Sequence, residues 1–168
     1  GWSYGYYDVK DDVENGDGVY GADDFIEFLN DDTGIISADP VMGAWKDSPN
    51  HWNGGAWDLL ANAAPVSHGP WTELNCQGGH PAANGQADPE VHWAVRRWVS
   101  DVSGDVEIRG IMQKNAAGGD GVVCRIFING DEVYSALTLG PGADAVPYAI
   151  VTNRGEGHVV DFAIDPDG

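Results

Sequence analysis

Gly121-Val-Val-Cys-Arg-Ile-Phe-Ile-Asn-Gly-Asp-Glu-Val-Tyr-Ser135 decides the fold class. Two runs rich in β-branched and aromatic residues flank Asn129-Gly130, the dipeptide suited to the two positive φ angles of a type I′ turn. The stretch reads as a β-hairpin. Working outward, strand-like runs recur every ~8–12 residues between turn signals, the spacing of sandwiches and barrels. They are about Val91–Ser100, Val106–Met112, Val122–Asn129, Glu132–Leu139, Val146–Thr152 and His158–Asp165. Ser103-Gly104-Asp105 makes another tight connection, and no long amphipathic helix appears in this half.

Residues 1–90 have another texture. They hold five of the seven Trp (Trp2, Trp45, Trp52, Trp57, Trp71) and most of the Pro. Segments such as Lys46–Gly55 show no sustained period and read as loops. Phe25–Leu29 reads as a strand or a single helical turn. The expectation is one all-β domain over residues 1–168. Its loop-rich, Trp-rich N-terminal half covers 1–90 and its strand-rich half covers 91–168.

The charge narrows the partners. Among 168 residues, 27 are Asp or Glu and 8 are Lys or Arg, a net charge of -19. Such a surface repels a phosphate backbone and an anionic bilayer surface, so neither nucleic acid nor membrane is an expected partner. No run of ~20 apolar residues exists to span a bilayer. The acids are mainly Asp, which favours turns and hard-cation sites. Solubility in a salty environment and calcium binding both account for this composition.

The calcium reading centres on Asn15-Gly-Asp-Gly-Val-Tyr-Gly-Ala-Asp-Asp24. It resembles half of a dockerin or EF-hand loop, with Asn15, Asp17 and Asp24 at ligand positions and Gly18 at the turn. It departs from that pattern at the first position, which is Val13, with Asp12 one residue out of register. Cys76 and Cys124 suit either one disulfide of an exported protein or two free thiols. The histidines lack zinc-site spacing and there is no Gly-x-Ser-x-Gly elbow, so no catalytic residue is assigned.

Alternation gives each strand two sides. His92, Ala94, Arg96 and Trp98 oppose Trp93, Val95, Arg97 and Val99. Glu107, Arg109 and Ile111 oppose Val106, Ile108 and Met112, while Arg125 and Phe127 oppose Cys124, Ile126 and Ile128. Collected across strands, the mixed sides suggest one surface holding His92, Arg96, Trp98, Glu107, Arg109 and Arg125. With Trp98 and Phe127 as apolar platforms, it suits an acidic sugar. The competing reading puts those arginines in ion pairs beneath the N-terminal loops. Arg97 falls on an otherwise apolar side, where a bulge or a buried ion pair is expected. Trp57 and Trp71, set among Asn, Asp and Gly, are further candidates, because indole faces stack on sugar rings.

Several segments carry a resemblance: Trp2-Ser-Tyr-Gly-Tyr-Tyr7, Gly78-Gly-His-Pro81, His92-Trp-Ala-Val-Arg-Arg-Trp98, Gly119–Gly130 and Val160-Asp-Phe-Ala-Ile-Asp-Pro166. Together they resemble a bacterial domain of secreted and cell-surface proteins, similar to the jelly-roll modules that accompany polysaccharide-degrading enzymes. The resemblance implies a lectin-like antiparallel β-sandwich at an extracellular or cell-surface location, without established catalysis. The expected function is a non-catalytic carbohydrate-binding module, calcium-stabilised, with a glycan partner. The alternative is a structural subunit of an extracellular layer or fibre. It would self-assemble through an open sheet edge, because in these domains a further strand follows the Asp165-Pro-Asp-Gly168 turn.

Overall fold

A computed structural model describes residues 1–9, 20, 22–30, 51–59, 72–83, 91–116, 121–138 and 145–166. Among them are β1 (Trp2–Asp8), β2 (Phe25–Glu27), β3 (Ala56–Asp58), β4 (Glu73–Asn75), β5 (Gly79–His80) and β6 (His92–Val99). β7 (Gly104–Met112), β8 (Val122–Ile128), β9 (Asp131–Thr138), β10 (Val146–Arg154) and β11 (Val159–Asp165) follow, and Ala22–Asp24 forms a 3₁₀ turn. No described helix is long and apolar enough to cross a membrane.

The strands build an antiparallel β-sandwich. Six form one sheet in the order β2-β1-β6-β11-β8-β9, β10 pairs with β7, and β3, β4 and β5 form a third, small sheet. Ile108, Met112, Tyr148 and Ile150 of the β7–β10 pair pack against Ile126, Ile128 and Val160 of the large sheet. Leu59, Trp57 and Leu74, from in and around β3 and β4, pack with Tyr6, Ala94 and Ile164 on the same face.

The six strands expected after residue 90 lie within two residues of their positions in the sequence reading. Asn129 (φ 52°) and Gly130 (φ 90°) make the β8–β9 turn. The Ser103-Gly104-Asp105 connection joins different partners, because β7 pairs with β10 rather than with β6. The N-terminal half is more regular than expected. β1 pairs with β6 from Trp2↔Trp98 to Asp8↔His92 and is an interior strand of the large sheet. Its aromatics fall on both sides, which hid the period of two.

Residues paired across antiparallel strands share a face. The registers therefore place Trp2, Tyr4, Tyr6, Ala94, Arg96, Trp98, Phe162, Ile164, Cys124 and Ile126 together on a first face. Tyr7, Trp93, Val95, Arg97, Asp161, Asp165, Arg125 and Phe127 share the second. The single mixed surface expected from alternation is thus divided: Arg125 and Phe127 lie on the sheet face opposite Arg96 and Trp98.

The second face carries the buried charges. Asp161, 1% exposed, accepts hydrogen bonds from Arg97 Nε (2.7 Å) and Nη2 (2.6 Å) and from the Tyr7 hydroxyl. Arg97 also lies 4.0 Å from the Phe25 ring centroid, a cation–π contact. Gly5 leaves room there, since a Cβ would collide with the Phe25 ring and the Ile26 carbonyl. Arg125 reaches buried Asp165 (2.8 Å) and Glu132 (2.7 Å) while facing the Trp93 ring. The buried ion pair expected at Arg97 is present. Burial and the adjacent Asp161 hold the Tyr7 phenol well above its ordinary value. Burial alone would lower the Arg97 value, but the bonds to Asp161 outweigh it and the net shift is upward.

Removing one member of a buried pair strands the other, at a cost of about 3–5 kcal/mol, whereas replacing both with apolar residues is often neutral. Arg97→Met and Asp161→Leu should each lower urea-unfolding stability by about that amount, and the double variant should recover most of the loss. The raised Tyr7 value sets the sign with pH. Its contribution is full below about pH 10, the unfolded phenol's value, and is lost as pH rises further, because only the unfolded chain ionises readily. Alkaline denaturation of Tyr7→Phe should show a smaller decline above that pH.

Candidate functional site

Among the described residues, two small sheets lie over parts of the first face. The β3–β5 sheet sits over its Tyr6–Ala94 end and the β7–β10 pair over its Ile126–Val160 region. A cleft of about 950 Å³ opens against the large sheet, lined by Trp2, Tyr4, Arg96, Trp98, Tyr148 and Phe162 with polar Gln77, His80, Gln113 and Asn115. Such a volume is within the range of small-molecule sites, which are mostly apolar with a few polar groups.

Strand register makes the aromatic floor. Trp2, Trp98 and Val160 lie in one cross-strand row, and Tyr4, Arg96 and Phe162 in the next. Trp2 is 56% exposed, with its ring centroid 5.8 Å from Phe162 and 6.5 Å from Trp98. Tyr148, on the opposing sheet, is 6.4 Å from Phe162. The floor is an amphiphilic platform, open on the Trp2 side.

Arg96 holds one wall. Its Nη2 donates to the Asn75 carbonyl and, at 3.2 Å, to the Gly78 carbonyl, tying the β4–β5 turn to the sheet. Asn75 Oδ1 braces that turn from within by accepting from the Gln77 and Gly78 amides. Beyond the turn a smaller cleft of about 260 Å³ is lined by Asn30, Trp52, Trp57, Asn75 and Cys76. Tyr4 and Leu74 border both clefts.

The residues singled out in the sequence are not all brought together. Arg96 and Trp98 line the large cleft, as do Glu107 and Arg109, which lie 3.7 Å apart on the exposed side of β7. His92 is a core residue, 0% exposed, sharing a hydrogen bond with Thr72 and lying 3.5 Å from Asp8. Arg125 belongs to the ion pairs of the opposite face. Trp57 is half-buried, stacked on Phe28 and Tyr4 and beside Trp52, so it serves the local core and the small cleft together. Trp71, Asn15 and Asp17 lie outside the described residues, while Asp24 ends the 3₁₀ turn. Among the described residues no group of three or more His, Cys, Asp or Glu is placed to hold a metal.

Trp2, Tyr4, Tyr148 and Phe162 also line the cleft and were not singled out in the sequence. The signal for the first two was present: Trp2, Tyr4 and Tyr6 alternate, and reading Trp2–Asp8 as a strand would have put them on one side.

The two cysteines are free thiols, Cys76 exposed and Cys124 buried. Burial pushes the Cys124 thiol up to about 11. At about pH 8, near the ordinary thiol value, only one thiol of the native protein should react with a thiol reagent, and two after unfolding. Cys76→Ser should abolish the native reaction.

Comparison with protein-family models, curated proteins and solved structures finds no match to this chain.

Proposed function

We propose that this protein is a non-catalytic carbohydrate-binding module of a secreted or cell-surface protein, with the glycan lying in the large cleft. The observation that supports the reading is the aromatic floor: half-exposed Trp2 beside Trp98 and Phe162, edged by amide side chains. Indole faces stack on the C–H faces of pyranose rings, and amides exchange hydrogen bonds with ring hydroxyls. The proposed calcium stabilisation rests on the Asn15–Asp24 sequence pattern.

A second reading is assembly into an extracellular layer. The outward side of the β7–β10 pair exposes Ile111 (69%) and Val151 (76%), and among the described residues each of these nine-residue strands has one unpaired edge. Strand edges of this kind accept a strand from a neighbour.

A polysaccharide panel read by Trp fluorescence separates the two. Binding by a monomer, weakened at least about tenfold by Trp2→Ala, supports the module. Ordered polymers with no glycan response support the layer. Trp2 is half exposed, so its removal should lower thermal stability far less than truncation of a buried aromatic would, and the loss of binding is then not a loss of fold. Calcium is tested by chelation: a native-state site stabilises by ~2.7 kcal/mol at a hundredfold excess over its dissociation constant. Chelator should lower the melting temperature, and Asp17→Ala should remove that response. A melting temperature indifferent to calcium and chelator ends the calcium proposal.

A further inference from the structure

Resting on the carbohydrate reading of the same cleft, we infer that the glycan is acidic and that Arg96 contacts a uronic-acid carboxylate. The arginines of β6, β7 and β8 provide the contrast. Arg97 lies 2.6 Å from Asp161, Arg109 lies 3.7 Å from Glu107, and Arg125 lies 2.8 Å from Asp165. Arg96 has no carboxylate partner among the described residues, although the chain carries 27 acids. Its bonds there are the two from Nη2 to the Asn75 and Gly78 carbonyls.

Those bonds fix the guanidinium at the cleft wall without neutralising it. Both Nη2 hydrogens are committed, so neither two-point edge of the fork is free, and the remaining donors are Nε and Nη1. The expected contact is one charge-assisted hydrogen bond, stronger than a neutral one. Tyr4 and Phe162 flank Arg96 on the neighbouring strands. Such a cation among aromatics favours a sugar that joins an apolar ring face to an anionic substituent. Net repulsion from the -19 chain acts at long range and is screened by salt, whereas the contact is local.

The test uses oligomers of galacturonic acid, glucuronic acid and mannuronic acid, each beside its carboxyl-reduced, neutral counterpart. Binding is followed by Trp fluorescence in chelator, so that a metal-bridged carboxylate is not read. The acidic member of at least one pair should bind about tenfold more tightly than its neutral counterpart. Arg96→Gln should collapse that ratio towards one. Arg96→Lys, which keeps the charge but not the fork, should retain part of the preference. If the β4–β5 turn shifts in Arg96→Gln, both members of a pair weaken, so the ratio still reports the carboxylate contact. Equal or tighter binding of the neutral members by the unaltered protein overturns the acidic-sugar inference and leaves the carbohydrate reading standing. A preference that survives in Arg96→Gln overturns the role of Arg96. No response to any member overturns the inference, and the same silence across the full polysaccharide panel, read with and without calcium, overturns the carbohydrate reading on which it rests.

Discussion

The bond between Arg97 and Asp161 governs the arrangement of the large sheet. It joins β6 to β11 at the register Asp161↔Arg97, in the interior of that sheet, and the Tyr7 hydroxyl brings in β1. A bare carboxylate in that position would be costly. Paired with a guanidinium and bonded again by a phenol, it is tolerated only in one register, because a shift of one residue would send Asp161 to the other face. The pair is therefore better understood as a specifier of register than as a source of net stability.

This buried polar layer inverts the usual logic of a strand. On β11, the charged residues Asp161 and Asp165 are buried, while Phe162 and Ile164 between them are only partly covered. The face that carries Phe162 and Ile164 is the one that borders the cleft. Two small sheets cover its ends, and the gap between them becomes the cleft. Arg96 and Arg97 are sequence neighbours with opposite fates: Arg97 is neutralised in the core, while Arg96 faces the cleft and, among the described residues, bonds carbonyl oxygens rather than a carboxylate.

The cleft wall depends on the same strand. The β4–β5 turn has few backbone bonds of its own, so the grip of Arg96 and the side chain of Asn75 position it. Strands as short as β3, β4 and β5 bury little apart from Leu74, Leu59 and Trp57, and the aromatic stack from Phe28 through Trp57 to Tyr4 seats them. The geometry of the site thus comes from long-range contacts, not from local propensity.

The strands after residue 90, the Asn129-Gly130 hairpin and the oddness of Arg97 were all legible in the sequence. Period-two alternation, turn chemistry and a charge on an apolar side are local signals that survive without a partner strand. The alternation within β6, β7 and β8 was also right side by side. What it could not determine was which side of β8 lies with which side of β6, because β11 intervenes between them and sets the relation through two registers. That error placed Arg125 beside Arg96; His92 does share a side with Arg96, and its burial comes instead from Thr72, Tyr6 and Asp8 packed around it. The same limit concealed Trp2 and Phe162, which come from opposite ends of the chain and meet only because β1 and β11 flank β6. Strand existence is written in neighbouring residues. The choice of which face is covered, and hence which residues form the cleft, was decided by contacts between distant segments, such as Tyr7 with Asp161, 154 residues apart.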